Sequence, residues 1–217
     1  MDSPSSFRQP RPLLLRLWHW LNALAILGAL GTVLLRKTFL SWRDNAQLIE
    51  TRIHELGGTI STDDAVTLAK AIRAPMWEWH TIIGSILVGL LALRVVGALV
   101  DRTQGPVRNA RVEVRRFLSL PRAERRGGVH QMIVKVGYVA FYATLAFMGA
   151  SGLSMHFKDA LGVSKALVET LKEAHELTMW FFVAFGVAHV VGVVVAELRG
   201  ERGLVSDMIH GGEPKDP

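Results

Sequence analysis

Eight histidines and no cysteine limit the metal chemistry open to this chain. The lack of thiols excludes disulfides, thiolate-held iron–sulfur clusters and thioether-attached c-type haem, so a redox centre has to be held by histidine or methionine. Four histidines fall in or at the edge of long apolar stretches: His19, His80, His175 and His189. His175 and His189 are 14 residues apart. On a helix that separation is about 40° short of four turns, so both imidazoles face one side, about 21 Å apart along the axis. One such histidine is most simply a hydrogen-bonded core residue. Two at one azimuth, with two more on other apolar stretches, point to metal ligation, because ionisable groups in apolar spans are costly and usually functional.

The elements that must position these residues are membrane helices. Half of the 217 residues are apolar, beside 25 basic and 19 acidic ones. The charges fall almost wholly between four apolar runs, about 13–35, 80–100, 132–155 and 175–196. Each run meets the roughly 20 residues that cross a bilayer core. The first is too long for a signal-peptide core, and the RKTFLSW that follows offers no small-residue cleavage site, so it counts as a helix. The fold expected is all-α, an integral membrane four-helix bundle forming a single domain over 1–217. The net charge of +6 is topological and calls for no nucleic-acid partner, since a basic soluble domain would not hold four such runs.

Lysine and arginine in the short flanks set the orientation. Arg8 and Arg11 precede the first helix, Arg16 lies just inside it, and 101–131 holds eight arginines against three acidic residues. The loop 36–79 has six basic and six acidic residues, and 156–174 is balanced as well. Both termini are therefore expected in the cytoplasm. Trp18 and Trp20 mark that face, and Trp42, Trp77 and Trp79 the outer one. In this frame His19 and His189 each lie roughly 10 Å from the cytoplasmic end of their helices. His80 and His175 each open a helix from outside. The four histidines thus form two pairs of equal depth from different helices, suited to two stacked bis-histidine haems. Zinc fits less well, because two ligands per level cannot fill a tetrahedral site.

Nearby residues suit the same chemistry. Gly84, Gly186 and Gly192 would let a flat porphyrin approach the backbone, or serve ordinary helix packing. Arg16 and Arg94 are candidates to pair with haem propionates, with snorkelling to the cytoplasmic surface as the alternative. Asn22 and Arg94 are polar groups near the inner pair, available to a bound ligand or structural. His130 and His156 are too far apart to pair across one bilayer core, about 39 Å by helical rise. His54 lies in the outer loop and His210 in the tail.

The loop 36–79 is too long for a simple turn. Ala46, Ile49, Ile53 and Leu56 fall at helical spacing, ended by Gly57 and Gly58. Ser61 and Asp64 resemble a capping box before a second stripe, Ala65, Leu68, Ala69 and Ile72. Two short helices lying on the outer membrane surface are expected, either capping the bundle or offering a docking surface.

RLWHWLNA at the first helix, WHTIIG and LALRVVGAL at the second, the His175-x13-His189 spacing and SDMIHGG near the C terminus resemble a known family. It is that of bacterial di-haem b-type cytochromes, comprising cytochrome b-561 proteins and the cytochrome b subunits of nickel–iron hydrogenases and formate dehydrogenases. The resemblance spans nearly the whole chain. It implies haem b ligated by His19 and His189 on the cytoplasmic side, and a second haem b ligated by His80 and His175 on the outer side. It further implies a bacterial inner-membrane subunit passing electrons between a periplasmic redox protein or dehydrogenase subunit and the membrane quinone. Two other readings stay open: a stand-alone quinol-linked oxidoreductase serving a diffusible acceptor, and a cofactor-free membrane anchor, which would be colourless.

Overall fold

The computed structural model describes residues 12–100, 106–119, 121, 125–200 and 203–212. Arg8, Arg11, Arg102 and Arg122, part of the basic flanks, lie outside them. The described residues form seven α-helices and no strand: α1 (Leu13–Lys37), α2 (Trp42–Glu55), α3 (Thr62–Val100), α4 (Pro106–Ser119), α5 (Arg125–His156), α6 (Lys165–Leu198) and α7 (Leu204–His210). Four of them are long and apolar enough to cross a membrane, within Leu13–Lys37, Thr62–Val100, Met132–His156 and Lys165–Leu198. No more than 11 % of the residues in any of these apolar windows are buried. So much outward-facing leucine and valine would be ruinous in water, whereas lipid is as apolar as the side chains it touches.

α1 packs on α3, α3 on α5, and α5 on α6. A Cβ at Gly28 would meet Ile83 at 3.3 Å and one at Gly149 would meet Val88 at 2.9 Å, so these two glycines set how closely α3 is approached from either side. Lys37 and Glu176, 3.9 Å apart, bring α6 back beside α1. Within the spans, the buried apolar side chains Leu87, Leu145, Met179 and Phe182 fill the middle of the bundle. Met179 and Phe182 lie between His175 and His189 on α6, so buried apolar side chains stand between the two histidine levels.

The outer loop differs from expectation in one respect. Its first stripe is α2, as the spacing indicates. Its second stripe is no separate helix on the membrane surface but the opening turns of α3, which runs unbroken for 39 residues, about 58 Å at 1.5 Å per residue. Ser61 starts it: the Asp64 N–H donates to Ser61 Oγ (3.1 Å), and that hydroxyl donates to the Asp64 carboxylate (2.6 Å). Pro75 sits inside the helix and removes one ladder donor, which from sequence argues for a break. Packing overrides it, because α2 lies along these turns and buries Ala46, Ala65 and Ala69 among Trp42, Ile49, Ile60 and Val66. α6 likewise begins at Lys165, with Ser164 Oγ accepting the Leu167 N–H. His80 and His175 therefore sit inside long helices rather than opening them.

Two further helices were not expected. α4 lies in the arginine-rich loop, packs on α5 and keeps Arg111, Arg115 and Arg116 exposed with Val114 and Phe117 half-buried. α7 carries the SDMIHGG motif and folds against the first turns of α1. Arg16 Nη1 donates to Ile209 O (2.7 Å), and Trp20 Nε1 donates to Met208 O (2.9 Å). Gly211 ends α7 at φ 99°, a left-handed conformation costly for other residues, with the Arg16 guanidinium lying over it.

Candidate functional site

The four histidines meet as two pairs. The rings of His80 (α3) and His175 (α6) stand 6.3 Å apart, centre to centre, with planes crossed at 70°. Those of His19 (α1) and His189 (α6) stand 6.1 Å apart with planes at 58°. Along α6 the two levels are separated by about 21 Å of helical rise.

At the outer pair each imidazole is held by a buried hydroxyl. Thr32 Oγ1 lies 2.9 Å from His80 Nδ1, and Ser151 Oγ lies 2.8 Å from His175 Nδ1. A hydroxyl has one proton to give. Thr32 gives it to Ala29 O at 2.7 Å, and Ser151 to Phe147 O at 2.8 Å. With the hydroxyl protons assigned to these carbonyls, both hydroxyls accept from the histidines, so that each ring carries its proton on Nδ1 and leaves Nε2 bare. That is the tautomer a metal ligand needs. Trp77, one turn before His80, stacks on its ring (5.2 Å, 9° between planes), and the Arg36 guanidinium lies over the Trp77 ring at 5.0 Å.

Aromatic rings frame the inner pair. Phe185 lies parallel to His189 at 6.1 Å, and Trp20 meets His19 edge-on at 5.3 Å. Arg94 reaches inward: its Nε lies 3.4 Å from Tyr142 Oη, and its guanidinium lies 5.8 Å from the Trp18 ring. Trp18 Nε1 is tied to Leu90 O at 2.9 Å. Asn22 is buried, gives its amide to Trp18 O (2.9 Å) and leaves Oδ1 without a partner. Arg16, bound through Nη1 to the tail, also leaves its Nε buried without a partner. These two orphaned polar atoms stand beside His19 in sequence and on the same helix.

A Cβ at Gly84, Gly186 or Gly192 would meet nothing within 4 Å, so close helix packing does not explain these glycines. Among the described residues no three or more His, Asp or Glu side chains converge as a metal cluster. His156 ends α5 beside Phe157 and lines a cavity with Trp77, Thr81 and Ser85 of α3. Sequence reasoning missed Thr32 and Ser151. Thr32, 13 residues after His19, matches the outer level in depth but lies about 140° round the helix from His19, so spacing gave no pairing signal. Ser151 had none either, as α5 supplies no histidine to either pair.

The family model for prokaryotic cytochrome b561 matches residues 11–211. No curated protein and no solved structure matches the chain. The match takes in all four spans, both histidine pairs and the α7 clasp. The chain belongs to the prokaryotic cytochrome b561 family, membrane b-type cytochromes of electron transfer whose cofactor is haem b.

Proposed function

We propose that the chain holds two haems b, each between two histidines, and passes electrons between a redox protein outside the inner membrane and the membrane quinone. The observation that carries this is the paired ring spacing. An imidazole nitrogen binds a metal at about 2 Å, so two imidazoles that shared one metal ion would stand with ring centres about 6 Å apart. The observed 6.3 and 6.1 Å fit that span at both levels. Bound haem supplies a one-electron iron couple.

The chain's own residues do the rest. His80 and His175 present bare Nε2 atoms at the outer level, and His19 and His189 stand at the inner one. Arg16 and Arg94 would pair with porphyrin carboxylates, and Gly84, Gly186 and Gly192, where a Cβ would meet nothing within 4 Å, would let a flat ring approach. Leu87, Leu145, Met179 and Phe182 exclude water between the levels. Asn22, with its orphaned Oδ1, and Arg94 supply the polar groups for a quinone head at the inner level. The α2–α3 hairpin outside is the surface on which a periplasmic redox protein or dehydrogenase subunit would dock.

Alanine variants test the pairing. His80→Ala and His175→Ala are expected to lose the same haem, leaving one per chain with one common spectrum. His19→Ala and His189→Ala are expected to lose the other. Two haems retained in His80→Ala, or a spectrum shared between His80→Ala and His189→Ala, would overturn the assignment.

A further inference from the structure

The two levels are held by different means. At the inner level, no hydrogen bond to either ring is formed among the described residues, and Phe185 and Trp20 set the ring orientations. At the outer level both rings are fixed by hydroxyls from helices that carry no ligand of that level, Thr32 from α1 and Ser151 from α5. Both are buried, at 7 % and 2 % exposure. Each hydroxyl passes its own proton to a backbone carbonyl of its own helix, so the chain Nδ1–H···Oγ–H···O=C is polarised in one direction at both rings. Four helices thus fix two imidazoles, and the fixed planes cross at 70°.

We propose that Thr32 and Ser151 are positioning residues of the outer centre: they hold His80 and His175 in crossed planes and set the potential of the haem between them. The inference rests on the two-haem reading above. An acceptor on Nδ1–H makes the imidazole a stronger donor through Nε2, which stabilises ferric iron and lowers the reduction potential. Crossed axial planes leave two iron d orbitals nearly equal in energy, which moves the largest g-value of a low-spin ferric haem to low field. Aligned planes split those orbitals. The hydroxyls therefore control two independent observables, neither of which depends on turnover.

The test uses full-length protein produced with haem supplied: wild type, Thr32→Val, Ser151→Ala, Thr32→Ser, and His80→Ala to identify the outer signal by its disappearance. Haem per chain, the EPR spectrum of the oxidised protein and a redox titration are measured on each. Thr32→Val and Ser151→Ala are expected to keep two haems, shift the outer g-value alone and raise the outer potential, while Thr32→Ser restores wild-type behaviour. If Thr32→Val loses the outer haem, its retention by Thr32→Ser supports the hydroxyl's role, and loss from both overturns it. Two haems with unchanged g-values and potentials in both hydroxyl-free variants, or shifts at the inner haem alone, overturn the inference and leave the two-haem reading standing. Wild-type protein with fewer than two haems overturns that reading and this inference together.

Discussion

A buried imidazole has two nitrogens, and what holds one decides what the other can offer. At His80 and His175 that logic can be followed atom by atom, from a backbone carbonyl through a hydroxyl to a bare Nε2. The pairing of the four histidines was legible in the sequence, because helical rise alone places them at two matched depths. Their hydroxyl partners were not, since a serine or threonine in a membrane helix most often bonds its own preceding carbonyl, and Thr32 and Ser151 do that as well. Arg94 was legible as a polar residue near the inner level, but sequence left snorkelling open; the structure turns it inward to Tyr142 and Trp18. Arg94→Met is expected to retain both haems and to weaken quinone binding about tenfold or more, the effect of losing a charged hydrogen bond of about 1.5–3 kcal/mol. Titrating reoxidation of the reduced protein with a quinone analogue measures it; unchanged dependence on quinone concentration would remove Arg94 from that site.

Apolar runs revealed the four spans because length and composition suffice for them. They did not reveal how far α3 continues. Pro75 and the charged residues around it resemble a boundary, and only the partner α2, packed through Ala46, Ala65 and Ala69, makes the helix run on. α4 was hidden for a related reason: arginines that signal topology also fill the wet face of an amphipathic helix. The α2–α3 pairing gives an element-scale prediction. Ala65 is fully buried, so Ala65→Leu should overpack the hairpin by about 1–3 kcal/mol. Proteolysis within 56–61 should then accelerate while the haem spectra stay as in wild type, because α3 beyond Pro75 is held by α1 and α5. Spectra that change together with proteolysis would mean that the hairpin and the outer histidines unfold as one unit.

The described residues form two histidine levels with buried apolar side chains between them, a helical hairpin beyond one end and a clasp at the other. On the proposed function each part has a place in electron movement along the bundle axis: the hairpin would dock a redox protein, the two pairs would hold haem on either side of Leu87, Leu145, Met179 and Phe182, and the polar side chains of the inner level would meet a quinone head. The α7 clasp adds a constraint on α1 beside His19, through Arg16 and Trp20. All of this depends on both levels being filled. The decisive measurement is therefore haem b per chain, by pyridine haemochrome assay on detergent-purified wild-type protein, alongside oxidised and dithionite-reduced visible spectra. Two haems per chain with sharp low-spin bands are expected. One haem per chain would break one of the pairs, and a colourless protein obtained with haem supply ensured would contradict the account altogether.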